Sequence, residues 1–236
     1  MCSNYRPVTR SDHLLQFFGV HRDEDALPAD CWPTGMAPFI RLATNGQREI
    51  HNGHFGLLAH FETQVTAGRR TYNARCETVH SKPSYRDAWK RSQRCIVPAE
   101  SIYEPNWETG QAVRWRINQT ALVPMGIAGI YTHWQPADGS ARYTFSMLTC
   151  NADGHPVMSR FHKPEDEKRM VVILDPRTYE DWLTCSPDEA RQYFRQWNGP
   201  LEAEPAPVAP KTPKAPKSGS VRTAKPPKAD PTGDLF

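Results

Sequence analysis

The second residue of the chain is a cysteine, and its position gives it more chemistry than its side chain alone would. Methionine is normally removed ahead of a small residue, which would leave Cys2 with a free α-amine and a thiol on adjacent carbons. That amine titrates near pH ~7.7–8.0, against about 10.4 for a lysine, so a useful fraction is neutral at physiological pH. A neutral amine condenses with an aldehyde to an imine, and a neighbouring thiol can then close a five-membered thiazolidine. A second chemistry fits the same residue. An N-terminal nucleophile attacks an amide carbonyl with its own amine as base, and a nearby asparagine serves as oxyanion donor. A third reading is an incidental cysteine in a nucleic-acid-binding module that stacks bases on aromatics and holds phosphates with Arg69, Arg70 and Arg75. A Cys/His peptidase acting on other proteins is a weaker fourth. Position alone does not choose.

Five segments taken together do choose. The opening MCSNY is followed by NARCET (Asn73–Thr78), CIVPAESIYE ending on Glu104, FSMLTCNA (Phe145–Ala152) and HPVMSRFHKPEDEKRM (His155–Met170). In this order they resemble the SRAP (SOS response-associated peptidase) family of abasic-site-processing proteins, over residues 2 to about 197. The resemblance implies an α+β fold with a mixed, bifurcated β-sheet and a small barrel, surrounded by helices. It implies binding to single-stranded DNA and a covalent link from the N-terminal cysteine to an abasic site. It also implies a place in the SOS and DNA damage responses, and associated autopeptidase, peptidase or lyase activity.

Carried over residue by residue, the resemblance makes Cys2 the nucleophile and Asn73 the amide that contacts the opened sugar. It gives Arg75 a phosphate beside the lesion, Glu104 the proton shuttling, and His162 the sugar oxygen or the neighbouring phosphate. Asn4 and Thr149 fall at positions expected on the DNA-binding side, and no metal or cofactor is implied. Taken alone, the same residues have plainer readings. Asn73 suits a turn, Glu104 a solvated loop, and His162 the surface. Arg75 suits an ion pair with Glu77 or another acid. The chain also departs from the family pattern. Asn4 stands where many members have arginine, Phe55 where a stacking tryptophan is familiar, and Pro105 where an aromatic often follows the glutamate.

The elements that must position these residues are partly legible. Phe55–His60, Arg94–Pro98, Val113–Ile117, Ala121–Tyr131, Arg142–Thr149 and Met170–Leu174 read as strands, rich in Ile, Val, Tyr and Phe and bounded by breakers. Asp175-Pro176 reads as a helix start, and Ser186 with Glu189 as a capping box. Behind that box Ala190, Tyr193, Phe194 and Trp197 recur at helical spacing, as core rather than as a stacking platform. A further helix is expected around Tyr85–Gln93. Without regular βαβ alternation, the class expected is α+β.

Composition divides the chain at about residue 199. Residues 200–236 hold nine of the 22 prolines, five lysines and no Trp, Tyr or Cys, a composition expected to stay disordered. Residues 1–199 carry 23 basic and 22 acidic side chains, so any DNA affinity must come from a local groove rather than a global field. The first twenty residues do not read as an export signal and no apolar run reaches membrane-spanning length, so a cytoplasmic, nucleoid-associated protein is expected. The terminal Leu235-Phe236 pair resembles the end of sliding-clamp-binding peptides, although their usual glutamine is Thr232 here.

Overall fold

A computed structural model describes residues 2–23, 26–136 and 139–208. Among the described residues, eleven strands and three short α-helices follow one another. They are β1 (Asn4–Pro7), α1 (Ser11–Phe18), β2 (Met36–Leu42), β3 (Arg48–Phe55), β4 (Asn73–Arg75), α2 (Arg86–Lys90) and β5 (Arg94–Asn106). Then come β6 (Val113–Gln119), β7 (Met125–Trp134), β8 (Arg142–Asn151), β9 (Arg169–Val171), β10 (Ile173–Leu174), α3 (Tyr179–Thr184) and β11 (Leu201–Pro205).

Five strands close on themselves in the order β7-β8-β3-β2-β5, with β5 pairing back onto β7. All neighbours in this ring are antiparallel except β3 and β8, which run parallel through Phe55 and Phe145. The barrel is small enough for side chains to fill it. Phe39, Phe55, Phe145, Ile96, Ile127 and Met147 are wholly buried, and Phe145 lies 5.6 Å from both Phe39 and Phe55, ring to ring.

The sheet bifurcates because β5 is thirteen residues long. Its first half closes the barrel against β7, and its second half pairs with β6 on one side and β1 on the other. β8 is similarly overextended and carries β4 and β9 on its far end. Two long strands therefore leave the barrel at neighbouring places, and the short strands β1 and β4 attach there.

The helices are few and short. Asp175 caps a single 3₁₀ turn through the backbone N–H of Arg177 before α3, with Pro176 in the first position. The Ser186–Glu189 box forms reciprocally at 2.8 and 3.3 Å but opens only a 3₁₀ segment, Glu189–Tyr193. Ala190 and Tyr193 are core, with Phe194 and Trp197 packed partly buried against it.

Three expectations need correcting. Order does not stop at residue 199, because β11 pairs with β6 from Leu201 to Pro205. Residues 209–236, including Leu235 and Phe236, lie outside the described residues. The run expected as a strand at Phe55–His60 holds only Phe55, the last residue of β3, because Gly56 turns the chain at a φ of +129°. Phe55 is itself fully buried against Tyr5 and Tyr72, so it offers no face for a base to stack on. Among the described residues no helix is long and apolar enough to cross a membrane.

Candidate active site and nucleic-acid groove

Cys2 precedes β1, and β1 runs antiparallel to β5 with Asn4 opposite Tyr103. This register carries the cysteine toward Glu104. The site is assembled from four separate pieces of chain. β4 brings Asn73, whose side-chain amide donates to the Cys2 carbonyl oxygen at 2.8 Å. The Asn73 carbonyl is itself held at 2.9 Å by the Tyr85 hydroxyl, from the turn before α2. β5 supplies Glu104. The fourth piece is the loop at residue 162, tied to the end of β5 by a His162 N–H donating to the Pro105 carbonyl and by a bridge from Phe161 to Asn106.

His162 Nε2 lies 3.2 Å from Glu104 Oε2, with both side chains buried. The His162 backbone sits in the left-handed region at a φ of +67°. A residue with a Cβ occupies that region at a cost of about 1–3 kcal/mol and persists only where its surroundings hold it, as at functional sites. Here the Pro105 and Asn106 contacts do the holding.

Cys2 is almost wholly buried, and burial pushes its thiol far above the ordinary range, with the nearby Glu104 charge pushing the same way. The thiol donates to the Asn4 carbonyl at 3.4 Å. It therefore rests as a neutral S–H, not as a ready thiolate. Tyr72 is raised by its half-burial and by the proximity of Glu104 and Cys2, so its ring also borders the site. The Asn73 amide oxygen is buried without a hydrogen-bond partner among the described residues. An orphaned acceptor beside a buried thiol and carboxylate invites a donor from a ligand.

Asn73 is also the link to the surface. It lines an open groove of about 500 Å³ together with Arg70, Arg75, Lys82, Tyr85 and Glu62. The loop forming its far wall is firmly seated. Trp134 donates to the Glu62 carbonyl at 2.9 Å, Leu58 N–H to Thr144 Oγ1 at 2.9 Å, and Gly56 lies against Gly68. Phe61 at the tip of that loop is half exposed.

Cys2, Asn73, Glu104 and His162 thus come together, and Arg75 opens onto the adjoining groove. Arg75 pairs at 2.8 Å with Glu167, an acid other than the neighbouring Glu77. Asn4 and Thr149 do not reach the groove surface, since both are buried and engaged internally. The Asn4 amide oxygen accepts from Arg114 at 3.0 and 2.5 Å, and its nitrogen donates to the Cys31 carbonyl. Thr149 accepts from Arg169 through both its carbonyl and its hydroxyl. Arg169 in turn grips Glu77 with two bonds of 3.0 Å and Glu167 with one of 2.7 Å. These two positions hold the strands rather than a phosphate.

Tyr72, Tyr85, Lys82, Arg114 and Arg169 were not singled out from the sequence. Arg169 lies within the HPVMSRFHKPEDEKRM segment, which is the one signal that pointed to it. Tyr85 carried none.

Comparison with known proteins agrees with this geometry. The model of the SOS response associated peptidase (SRAP) family matches residues 1–211. The abasic site processing protein YoaM of Bacillus subtilis is 30% identical over 197 residues, covering 80% of this chain and 82% of its own. YoqW of the same organism, also an abasic site processing protein, is 26% identical over 198 residues, covering 78% and 80%. A crystal structure from Bordetella bronchiseptica superposes with a TM-score of 0.82 at 34% identity, covering 88% of this chain and all of the other. A second, from Bacteroides thetaiotaomicron, shares the fold at a TM-score of 0.73 and 22% identity, covering 86% and 90%. With its motifs converging on one buried site and the family model spanning all of its described residues, the chain belongs to the SOS response associated peptidase (SRAP) family.

Proposed function

We propose that this protein captures abasic sites in single-stranded DNA, forming a thiazolidine between the ring-opened sugar and the amine and thiol of Cys2 after Met1 is removed. The observation that carries the reading is the placement of Asn73. It grips Cys2 with its amide nitrogen and lines a groove with three cationic side chains, so strand and nucleophile meet at one residue.

The order of steps follows from the protonation of the thiol. A buried S–H pushed far up is a poor first nucleophile, whereas an α-amine is partly neutral near pH 7. The amine nitrogen attacks the C1′ aldehyde carbon, and the carbinolamine loses water to give an imine. The sulfur then adds to the imine carbon while the S–H proton passes to the nitrogen, closing the ring with no net gain or loss of protons. Glu104, beside both Cys2 and His162, suits the proton transfers. His162 suits protonation of the sugar oxygen as the ring opens, and the orphaned Asn73 oxygen suits a hydroxyl of the opened sugar. Arg70, Arg75 and Lys82 suit the flanking phosphates, and Phe61 a neighbouring base.

The test is denaturing gel electrophoresis with abasic single-stranded DNA. The wild type should give a stable adduct. Cys2→Ser and Cys2→Ala should give one only after borohydride trapping, because they keep the amine and lose ring closure. An N-terminal tag should abolish both. A stable adduct from tagged protein, or none from the wild type, would overturn the proposal. Hydrolysis of small amides without dependence on an abasic aldehyde would favour the amidohydrolase chemistry instead.

A further inference from the structure

On the opposite face of the sheet from Glu104 lies a second cavity, of about 290 Å³, lined by Arg6, Arg10, His13, Glu100, Ser101 and Arg116. Ser101 stands three residues before Glu104 on β5, about 10 Å along the strand and on the other side by alternation. This cavity therefore belongs to neither the cysteine site nor its groove.

Its lining is unusual in what it leaves unsatisfied. Ser101 is 3% exposed and its hydroxyl has no hydrogen-bond partner among the described residues. The buried Nε atoms of Arg6 and Arg116 and the Nδ1 of His13 are likewise without one. Asp30 stands 3.7 Å from Arg6 Nε, while Arg116 pairs with Glu204 and Arg10 with Asp12 through other contacts. Native interiors rarely leave several buried polar atoms unmatched, and each such group calls for an explanation. All four belong to residues that line this one cavity, and one ligand there would account for them together.

Backbone irregularities gather at the same place. Arg6 faces Ser101 while Pro7 faces Ala99, so Glu100 is an inserted β-bulge residue and both Glu100 and Ser101 line the cavity. α1 begins here without a side-chain cap on its first turn. At the rim, the largely exposed Leu122 adopts left-handed backbone at a φ of +56°, as does the preceding Ala121 at +60°. Strained backbone of this kind clusters at ligand clamps and active sites.

We propose that this cavity binds a phosphate group bearing a proton, as inorganic phosphate or the singly ionised form of a terminal phosphomonoester. Two of the open atoms, the arginine Nε groups, can only donate, and Ser101 and His13 can do either, so the occupant must be rich in acceptors. Oxyanions meet arginine in this manner. Glu100 supplies the selectivity. A carboxylate repels a fully ionised oxyanion but accepts a hydrogen bond from one that keeps a proton. Monohydrogen phosphate keeps one near neutral pH, a phosphomonoester keeps one in the singly ionised form that persists as a minority above its second pKa of about 6, and sulfate or a phosphodiester keeps none.

Calorimetric titration of the full chain with inorganic phosphate, at constant ionic strength and pH 7, tests this. One saturable site is expected below about 1 mM. Ser101→Ala and Arg116→Gln should each weaken it at least about tenfold, the change expected for a lost charge-assisted or buried hydrogen bond. Ser101→Ala should also hold or raise the melting temperature without phosphate, because it removes an unmatched buried hydroxyl, so lost binding cannot be ascribed to unfolding. Sulfate should bind at least about tenfold more weakly than phosphate, and Glu100→Gln should close that gap. A 5′-phosphorylated oligonucleotide that competes where its 5′-hydroxyl counterpart does not would identify strand ends as the source. Competition by neither would identify free phosphate. No saturable phosphate site, sulfate binding as tight as phosphate, affinity unchanged in both variants, or equal competition by both oligonucleotides would overturn the proposal.

Discussion

The cysteine thiol, the carboxylate and the imidazole at the site are all buried, and this fixes how the chemistry of the thiol responds to pH. With the thiol of Cys2 held up by burial and by Glu104, raising the pH from 6 to 8 frees the α-amine but leaves the sulfur protonated. Capture should therefore rise with pH and level off near 8. A mechanism led by the thiolate would keep rising about tenfold per unit well beyond that. Stopped-flow or quenched crosslinking between pH 6 and 10 distinguishes the two, and a rate still climbing at pH 10 would refute amine-first capture. Glu104→Gln keeps the size of the side chain while removing its proton-shuttling capacity, so adduct formation, reversal or both should slow by about 10²–10⁴. Asn73→Ala removes both the grip on Cys2 and the orphaned oxygen, and should act mainly on capture. If both variants crosslink at the wild-type rate, their assigned roles are wrong. Glu104 shows why single residues mislead in a sequence. Beside Pro105 it reads as a loop carboxylate, yet it is 2% exposed within a thirteen-residue strand.

At the scale of elements, two features that carry no chemistry themselves decide whether the site forms. Gly56 turns the chain out of β3 at positive φ, and a Cβ there would collide with the Gly68 backbone. Gly56→Ala should therefore cost about 2–4 kcal/mol in strain and clash, and loosen the loop that bears Arg70. A melting temperature within a degree of wild type would show that the loop yields without loss. Arg169 bolts β9 to Thr149 and holds two acids. The Arg169 hydrogen bond lowers Glu167, and it lowers Glu77 against the opposing effect of partial burial. Depressed carboxylates stabilise the fold above their unfolded values near pH ~4.3, and this stabilisation fades as pH falls through the lower folded values. Arg169→Met should destabilise at pH 7 by about 2–3 kcal/mol, and the gap from wild type should narrow at pH 3. A gap independent of pH would mean that packing, not the ion pairs, is what Arg169 supplies. The contrast in legibility follows from range. Asp175-Pro176 and Ser186 with Glu189 were readable because their hydrogen bonds close within three residues. β1 and β11 were not, being short, proline-bearing or charged segments that become strands only when a distant partner pairs with them. Barrel closure through β3–β8 and β5–β7 likewise has no local signature.

For the whole molecule, the near-balance of charge makes DNA binding a local matter. The described groove gathers Arg70, Arg75 and Lys82 on one face with Glu62 as its acid. If these three cations neutralise about three phosphates, the logarithm of affinity for undamaged single strands should fall with the logarithm of salt with a slope of about −2, or ~0.7 per contact. Arg70→Gln and Lys82→Gln should each flatten that slope by about 0.7. Arg75 differs, because its guanidinium is already paired at 2.8 Å with Glu167 and must exchange that partner for a phosphate. Glu167→Gln should therefore tighten binding at low salt rather than weaken it, although the substitution also removes one of the Arg169 contacts. The residues beyond 208 add five lysines and one arginine, so truncating them should lower affinity and slope further while leaving the crosslinking yield at saturating DNA unchanged. Fluorescence anisotropy across a salt series, on the full chain and the truncation side by side, reads all of these. A slope that resides wholly in the truncated residues, with the three groove variants indistinguishable from wild type, would show that the strand does not follow the groove beside Asn73.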